Sequence, residues 1–177
     1  MKDMNNTAEK AKNIKLLILD VDGVMTDGSI MLDNNGNEYK IFHVRDGHGI
    51  RMLDKAGIKT AIITGRRSKV VERRALELGI TDVHQGVYKK SDVYDGLLKK
   101  YGLNDENVAF MGDDTVDIEL FKRAGMTAAP ADAEDDVKKI AGFISGRNGG
   151  RGAVREFINL ILKSSGLWKD VSGESID

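Results

Sequence analysis

The chain has 177 residues, of which 41% are hydrophobic, which is typical of one compact domain with a sizeable core. Its 27 basic and 28 acidic residues nearly cancel, so no global field favours nucleic acid or an anionic membrane surface. The absence of cysteine excludes disulfides and thiolate metal sites. Neither a signal peptide nor an apolar run of roughly 18 residues is apparent. We therefore expect a cytoplasmic protein of one domain spanning 1–177, with flexible ends at about 1–13 and 166–177.

The first predicted elements are a buried strand and a hairpin. Residues 16–19 are apolar and run into Asp20-Val21-Asp22-Gly23, which indicates a buried strand that ends in a turn. Between 29 and 44, two strand-like arms flank Asn34-Asn35-Gly36-Asn37, a strong signal for a hairpin turn. We expect a β-hairpin that projects beside the first strand.

The rest of the chain alternates between short apolar segments and one-sided helical patterns. Three apolar segments are predicted as further strands: 60–63, 82–84 and 108–111. Three segments have apolar residues at helical spacing: 68–78, 91–101 and 153–163. This alternation predicts βαβ units, so the fold class is α/β, with a Rossmann-like parallel sheet flanked by helices.

Polar residues follow the carboxyl ends of four predicted strands. In an open parallel sheet, ligands bind outside these ends, so the residues there are candidates for one site. They are Asp20 and Asp22; Thr64, Gly65 and Arg66; Lys89 and Lys90; and Asp113 and Asp114, with Asp117 nearby. Several carboxylates suit Mg²⁺, which usually binds through one or two of them together with phosphate and water. A carboxylate can also attack phosphorus and form an aspartyl phosphate.

The order of these motifs resembles the haloacid dehalogenase superfamily. The matching segments are DVDGVMTDG, TGR, a downstream lysine and GDDTVD, each at a predicted strand end. By that resemblance, Asp20 is the nucleophile, and Asp22 is the general acid and then the general base. Thr64 should hydrogen-bond the transferring phosphoryl oxygens. Lys90, with Lys89 as the alternative, should screen the charge between Asp20 and the phosphate.

The resemblance also implies a set of Mg²⁺ ligands. Asp113 should hold the ion together with Asp20 and the backbone carbonyl of Asp22. Asp114 is expected to be a further ligand or an outer partner of the ion. Asp117 is expected to orient Lys90 instead.

The negative charge of this set requires further positive charge, which arginines can supply. The carboxylates and a phosphate dianion outweigh Mg²⁺ and Lys90, and arginine forks bind carboxylate and phosphate oxygens bidentately. Arg45 at the hairpin exit, Arg66 after the strand-end threonine, and Arg74 are the candidates. Together with Gly65, they form the predicted substrate-binding set.

The spacing of the motifs leaves no room for a cap domain that could close over a substrate. Forty-three residues separate Asp20 from Thr64, and the hairpin and one helix use nearly all of them. Twenty-five residues separate Thr64 from Lys90, which one helix and one strand fill. Substrate selection must then come from the hairpin, the tail or a neighbouring subunit, so we expect an oligomer.

A closer resemblance covers most of the chain through six segments: DVDGVMTDG, NNGNEYKIFHVRDGHGIR, ITGR, QGVYKK, MGDD and GGRGAVRE. They are similar to those of the 3-deoxy-D-manno-octulosonate 8-phosphate phosphatases. This implies a capless homotetramer that takes part in lipopolysaccharide biosynthesis, packs its hairpin at the subunit interface and can reach a neighbour's site with its tail. Relatives act on nine-carbon sugar acid phosphates, so the length of the sugar stays open. The tail GLWKDVSGESID departs from the family pattern, which leaves its role open as well.

Other classes of protein share parts of the pattern. A phospho-receiver module also combines acidic residues, Mg²⁺ and a lysine, but its acceptor aspartate ends the third strand, where this chain has neither Asp nor Glu. A non-catalytic subunit is disfavoured because every reactive position is intact. A phosphomutase normally needs a cap that excludes water.

Overall fold

The computed structural model describes residues 2–173, and most of its strands form one sheet. The eight strands are β1 (Leu16–Leu19), β2 (Met31–Leu32), β3 (Glu38–Tyr39), β4 (Lys59–Thr64), β5 (Asp82–Gln85), β6 (Val108–Met111), β7 (Met126–Ala129) and β8 (Phe143–Ile144). Six of them pair in parallel in the order β5-β4-β1-β6-β7-β8. The other two, β2 and β3, form an antiparallel hairpin.

Helices cover both faces of the sheet. They are α1 (Lys2–Asn13), α2 (Val44–Lys55), α3 (Lys69–Leu78), α4 (Lys90–Tyr101), α5 (Ile118–Phe121), α6 (Asp135–Lys138), α7 (Ala153–Ser164) and α8 (Trp168–Ser172). Single 3₁₀ turns lie at Asp105–Asn107 and Thr115–Asp117. Among residues 2–173, no helix has both the length and the apolar character needed to cross a membrane.

The strand β1 lies at the centre of the core. Its four residues are fully buried because both of its faces are covered. Leu17 and Leu19 pack with apolar residues of α1, α2, α3 and α7, whereas Leu16 and Ile18 pack with those of α4, α5 and α6. A strand buried on both faces reads as a continuous apolar run, which explains why the sequence revealed it. The predicted α/β fold is confirmed, and the carboxyl ends of the strands share one edge.

The four strands predicted in the sheet are present with boundaries within two residues, but β7 and β8 were missed. Met126–Ala129 contains two alanines and a threonine, and β8 has only two residues, so neither shows a clear apolar run. The sheet is therefore two strands wider than the sequence suggested.

Helices occupy the segments where flexible ends were expected. The first, α1, covers 2–13 and buries Ala11 in the core cluster that it shares with α7. The last, α8, covers 168–172, and Lys163 lies over the Trp168 ring at 4.8 Å. Residues 174–177 of the predicted tail lie outside the described part of the chain. That 1–177 forms one domain stays a prediction.

The hairpin between β1 and α2 is confirmed. The carboxylate of Asp33 accepts hydrogen bonds from the backbone N–H groups of Asn35 and Asn37, both at 2.8 Å. Gly36 has φ +80°, a conformation that glycine adopts without strain. The hairpin and α2 fill the chain from β1 to β4, and α3 alone connects β4 to β5, so the predicted capless architecture is also confirmed.

Candidate active site

The carboxylate of Asp20, directly after β1, meets a buried lysine. Lys90, the first residue of α4, donates from Nζ to Oδ1 of Asp20 at 2.8 Å and to Oδ1 of Asp117 at 2.6 Å. Burial acts to lower the pKa of Lys90, but the two carboxylates outweigh it and leave that pKa raised. Lys89, the alternative lysine, is exposed and pairs with Asp92 at 2.7 Å. The structure therefore brings Lys90, and not Lys89, to Asp20.

Three carboxylates converge beside this lysine. Oxygens of Asp20, Asp113 and Asp117 lie within 4.8 Å of one another. The second oxygen of Asp117, Oδ2, accepts the backbone N–H of Asp113 at 3.1 Å, which shapes the loop after β6. Three carboxylates face one ammonium here, so the cluster has an excess of negative charge.

Burial, together with this excess charge, raises the pKa of two carboxyl groups. Burial raises the pKa of Asp20 to about 6; Lys90 opposes this shift and Asp117 adds to it. Burial also raises the pKa of Asp113 to about 8, with further contributions from Asp20 and Asp117. A divalent cation would relieve this repulsion, and carboxylate oxygens are the ligands that Mg²⁺ prefers. The donor set of this cluster therefore fits Mg²⁺.

The side chain of Asp114 lies outside the carboxylate cluster. It is exposed, and its Oδ1 accepts from the backbone N–H of Thr115 at 2.6 Å and from the Thr115 hydroxyl at 3.2 Å. Asp114 thus caps the 3₁₀ turn Thr115–Asp117, a common use of aspartate at a helix start. The buried carboxylate of Asp117 contacts Lys90, the residue that it was expected to orient, and it is the third carboxylate of the cluster. The part of Asp114 as a ligand or outer partner of the ion stays a prediction.

The carboxylate of Asp22 contacts the hairpin. It pairs with Nζ of Lys40, which follows β3, and its Oδ2 lies 3.7 Å from Nε of Arg66. No sequence pattern singled out Lys40, because a lysine beside an exposed strand of two residues is normally solvated. The hairpin nevertheless supplies a charged group to the predicted acid–base residue.

The β4 motif lies on the same side as Asp22. Thr64 is buried at the end of β4, and its carbonyl accepts the N–H of Val87 at 3.1 Å. Next to it, Gly65 has open space, since only the Val87 carbonyl lies within 4 Å of where a Cβ would be. Arg66 is partly exposed and donates to Oε1 of Glu38 at 2.9 Å. Thr64, Gly65 and Arg66 thus line the edge between the carboxylate cluster and the hairpin.

The other two predicted arginines lie in different surroundings. Arg45 is exposed and lines a concavity of about 450 Å³ at the start of α7, together with Arg147, Arg151 and Arg155. Arg74 lies against Gly47, has its guanidinium carbon 5.9 Å from the centroid of the Phe42 ring and pairs with Glu77 at 3.2 Å. Arg45, Arg66 and Arg74 therefore do not meet around one group within the protomer.

The glycine-rich loop before α7 packs directly on the loop that follows Asp20. A Cβ on Gly149 would lie 1.9 Å from the carbonyl oxygen of Gly23, and the N–H of Gly150 donates to the carbonyl of Val24 at 3.0 Å. The sequence left open whether this loop is a plain turn or an anion-binding nest. The contacts give it a packing role.

Substitution of Gly23 by alanine should weaken Mg²⁺ binding. Gly23 has φ +85°, where alanine costs roughly 1–2 kcal/mol, and its Cβ would lie 2.0 Å from Oδ2 of Asp113. We expect Gly23→Ala to displace Asp113 and lower Mg²⁺ affinity, measured by isothermal titration calorimetry. Gly57→Ala is the matched control, since Gly57 has φ +78° with nothing within 4 Å. Equal Mg²⁺ affinity in both variants would contradict the role of this contact.

Mg²⁺ affinity should depend on pH. Because the pKa of Asp113 is raised to about 8, a proton competes with the ion below that pH, and a bound ligand carboxylate must be deprotonated. The apparent dissociation constant should rise roughly tenfold for each pH unit below 8, the slope for one displaced proton. Titration calorimetry at pH 8.5, 7.5 and 6.5 measures this slope. An affinity that stays constant over this range would show that the pKa of Asp113 is not raised in the metal-free protein.

Comparisons with known proteins agree with this geometry. The family model of the haloacid dehalogenase-like hydrolases matches residues 77–158. The chain is 47% identical over 167 residues to the 3-deoxy-D-manno-octulosonate 8-phosphate phosphatase KdsC of Escherichia coli strain K12, which covers 94% of this chain and 89% of that protein.

Two solved structures have the same fold over nearly their whole length. The phosphatase of this name from Yersinia pestis has a TM-score of 0.92 and 45% identity, with 97% of this chain and 92% of that chain covered. The one from Moraxella catarrhalis, in complex with magnesium ion, phosphate ion and KDO, has a TM-score of 0.91 and 41% identity, with 94% and 96% covered. The chain therefore belongs to the 3-deoxy-D-manno-octulosonate 8-phosphate phosphatase family of haloacid dehalogenase-like hydrolases.

Proposed function

We propose that this chain is a magnesium-dependent phosphatase that hydrolyses 3-deoxy-D-manno-octulosonate 8-phosphate to the free sugar acid and phosphate. The observation that carries the proposal is the buried Asp20–Lys90–Asp117 arrangement beside Asp113, in a member of this family. The Moraxella catarrhalis relative, which holds magnesium, phosphate and KDO together, supports both the ion and the substrate.

In the first step, Asp20 attacks phosphorus. Lys90 holds Oδ1 of Asp20, so Oδ2 is free to form the new bond while the bond between phosphorus and the sugar oxygen breaks. The product of this step is an aspartyl phosphate on Asp20 and a free sugar hydroxyl. Lys90 and Thr64 stabilise the negative charge on the phosphoryl oxygens during the transfer.

Asp22 moves the protons in both steps. It gives a proton to the leaving sugar oxygen and then takes one from the water that attacks the aspartyl phosphate, which releases phosphate and restores Asp20. Its carboxylate contacts the hairpin, away from the carboxylate cluster. That separation suits an in-line transfer, in which the attacking and leaving oxygens lie on opposite sides of phosphorus.

Asp20, Asp113 and the backbone carbonyl of Asp22 are the groups that would hold Mg²⁺. The bound ion supplies positive charge that stabilises the transferring phosphoryl group. Asp117 is fully buried and acts through Lys90, which it holds at 2.6 Å. The exposed Asp114 shapes the loop as a cap and is an outer member of the set.

The sugar acid carboxylate needs a cation at the mouth of the site. Arg66 is the best placed of the predicted arginines, because it lies beside Asp22 and is partly exposed. The backbone of Gly65 lies next to it in open space. Arg45 and Arg74 would contribute through a rearrangement or through a neighbouring protomer.

The hairpin supports a homotetramer. Its arms expose large apolar side chains, an arrangement that usually marks a protein interface. They are Ile30, Met31, Leu32, Tyr39 and Ile41. Since no cap closes the site, a neighbouring protomer packed on the hairpin would restrict access to it.

Phosphate release from a panel of substrates tests the function. Wild-type protein should hydrolyse the eight-carbon sugar acid phosphate in Mg²⁺ and lose this activity in EDTA. Asp20→Asn should lower kcat by at least roughly a thousandfold, because no covalent intermediate can form. Asp54→Asn, which removes an exposed carboxylate outside the site, should keep full activity.

The same panel separates the alternatives. A preference for a nine-carbon sugar acid phosphate would keep the mechanism and change the substrate. Absence of turnover with every substrate, in folded and Mg²⁺-replete protein, would reject the phosphatase and favour a non-catalytic module.

A charge on the hairpin should break the assembly. Leu32→Lys would bury an unpaired ammonium at the proposed interface, so we expect smaller species in sedimentation velocity. Leu76→Lys is the matched control, since Leu76 is an even more exposed leucine that lies on α3, outside the hairpin. If the Leu32→Lys variant still sediments as a tetramer, the interface lies elsewhere on the protein.

A further inference from the structure

We propose that Lys40 is a positioning residue for proton transfer, which holds the carboxylate of Asp22 toward the leaving oxygen of the substrate. The inference rests on the proposed phosphatase function and assigns to the hairpin a part in the chemistry itself.

The first observation is the burial of Lys40. Its side chain is 1% exposed, although the hairpin that carries it lies on the surface. Lysine is almost never fully buried unless it is paired, because an ammonium loses its hydration there. The ammonium contacts Asp22 and lies 3.7 Å from Oε1 of Glu38. A buried charge held in this way has few alternative positions.

Strand alternation explains how Lys40 reaches the site. Successive side chains of a strand point to opposite faces, so Glu38 and Lys40 share one face and Tyr39 has the other. Tyr39 is exposed, whereas both charged residues face the body of the protein. The turn at Gly36 sets this register, so the hairpin presents a charged face to Asp22.

The second observation is the set of contacts that holds Glu38, the other carboxylate beside Lys40. The carboxylate of Glu38 accepts from Nη2 of Arg66 at 2.9 Å and from the hydroxyl of Ser68 at the start of α3. Arg66 in turn lies 3.7 Å from Asp22. Lys40 is thus part of a closed ring of charges that joins the hairpin, β4 and Asp22.

The third observation is that the ring holds the carboxylate of Asp22 on the hairpin side of the site, away from Asp20. Asp20 lies with Asp113 and Asp117, while Asp22, two residues later, contacts the hairpin. A general acid must lie near the leaving oxygen, on the far side of phosphorus from the nucleophile. Without Lys40, the nearest cation to Asp22 in this ring is Arg66 at 3.7 Å, and the carboxylate would sample more rotamers.

The experiment compares Lys40→Met and Lys40→Arg on two substrates. A sugar phosphate has a poor leaving group that needs a proton, whereas the p-nitrophenolate of p-nitrophenyl phosphate leaves without one. We expect Lys40→Met to lower kcat about 100-fold on the eight-carbon sugar acid phosphate, within the range of general acid catalysis, with little change in KM. On p-nitrophenyl phosphate, the rate of the first step, measured as the burst of p-nitrophenolate, should change little, because that leaving group needs no proton from Asp22. Lys40→Arg should restore part of the lost rate.

A double-mutant cycle with Asp22→Asn gives an independent readout. If Lys40 acts through Asp22, Lys40→Met should have no further effect on kcat in the Asp22→Asn background. Lys59→Met, which removes an exposed lysine elsewhere, should leave all rates unchanged.

Three results would overturn the inference. Equal losses in the rate of the first step on both substrates, measured in single turnovers, would mean that Lys40 only supports the fold. A raised KM for the sugar acid phosphate with unchanged kcat would mean that it binds the substrate carboxylate. Additive losses with Asp22→Asn would mean that it acts independently. If the wild-type protein does not hydrolyse sugar acid phosphates, the proposed substrate is wrong, which is a separate result. The effect of Lys40→Met would then be compared between p-nitrophenyl phosphate and an ordinary sugar phosphate that the protein hydrolyses.

Discussion

The buried ammonium of Lys90 between Asp20 and Asp117 is the interaction on which the rest of the site depends. It joins three parts of the chain that are distant in sequence: the end of β1, the start of α4 and the loop after β6. Removing one partner of such a group leaves an unpaired buried charge, which strongly lowers the free energy of unfolding. The same contact that stabilises this edge of the sheet also sets the direction of the nucleophile.

The carboxylates also divide the site into two halves. Asp20, Asp113 and Asp117 form a crowded negative cluster, in which burial, together with repulsion that a cation would relieve, raises the pKa of Asp20 and Asp113. Asp22 is held apart by the hairpin. A single loop after β1 therefore serves both halves, and the hairpin combines an apolar outer surface with a charged inner face.

Sequence alone predicted the parts of this structure that depend on local patterns. The fully buried β1 reads as an apolar run, and the residues at strand ends converge because parallel strands share one edge. What it missed depends on tertiary contacts. The burial of Lys40 follows from how the hairpin docks, and the outward position of the Asp114 side chain follows from its cap on the turn at Thr115. The different partners of Arg45, Arg66 and Arg74 likewise depend on tertiary contacts.

The contact between Gly149 and Gly23 links two distant parts of the chain in time as well as in space. The loop that carries Asp20 and Asp22 is synthesised well before the glycine pair ahead of α7 against which its backbone packs. During translation, that loop lacks its packing surface until residues 149 and 150 have left the ribosome. The catalytic carboxylates thus reach their final geometry only after that glycine pair has been made, so a chain truncated before residue 149 would contain the motifs without a formed site.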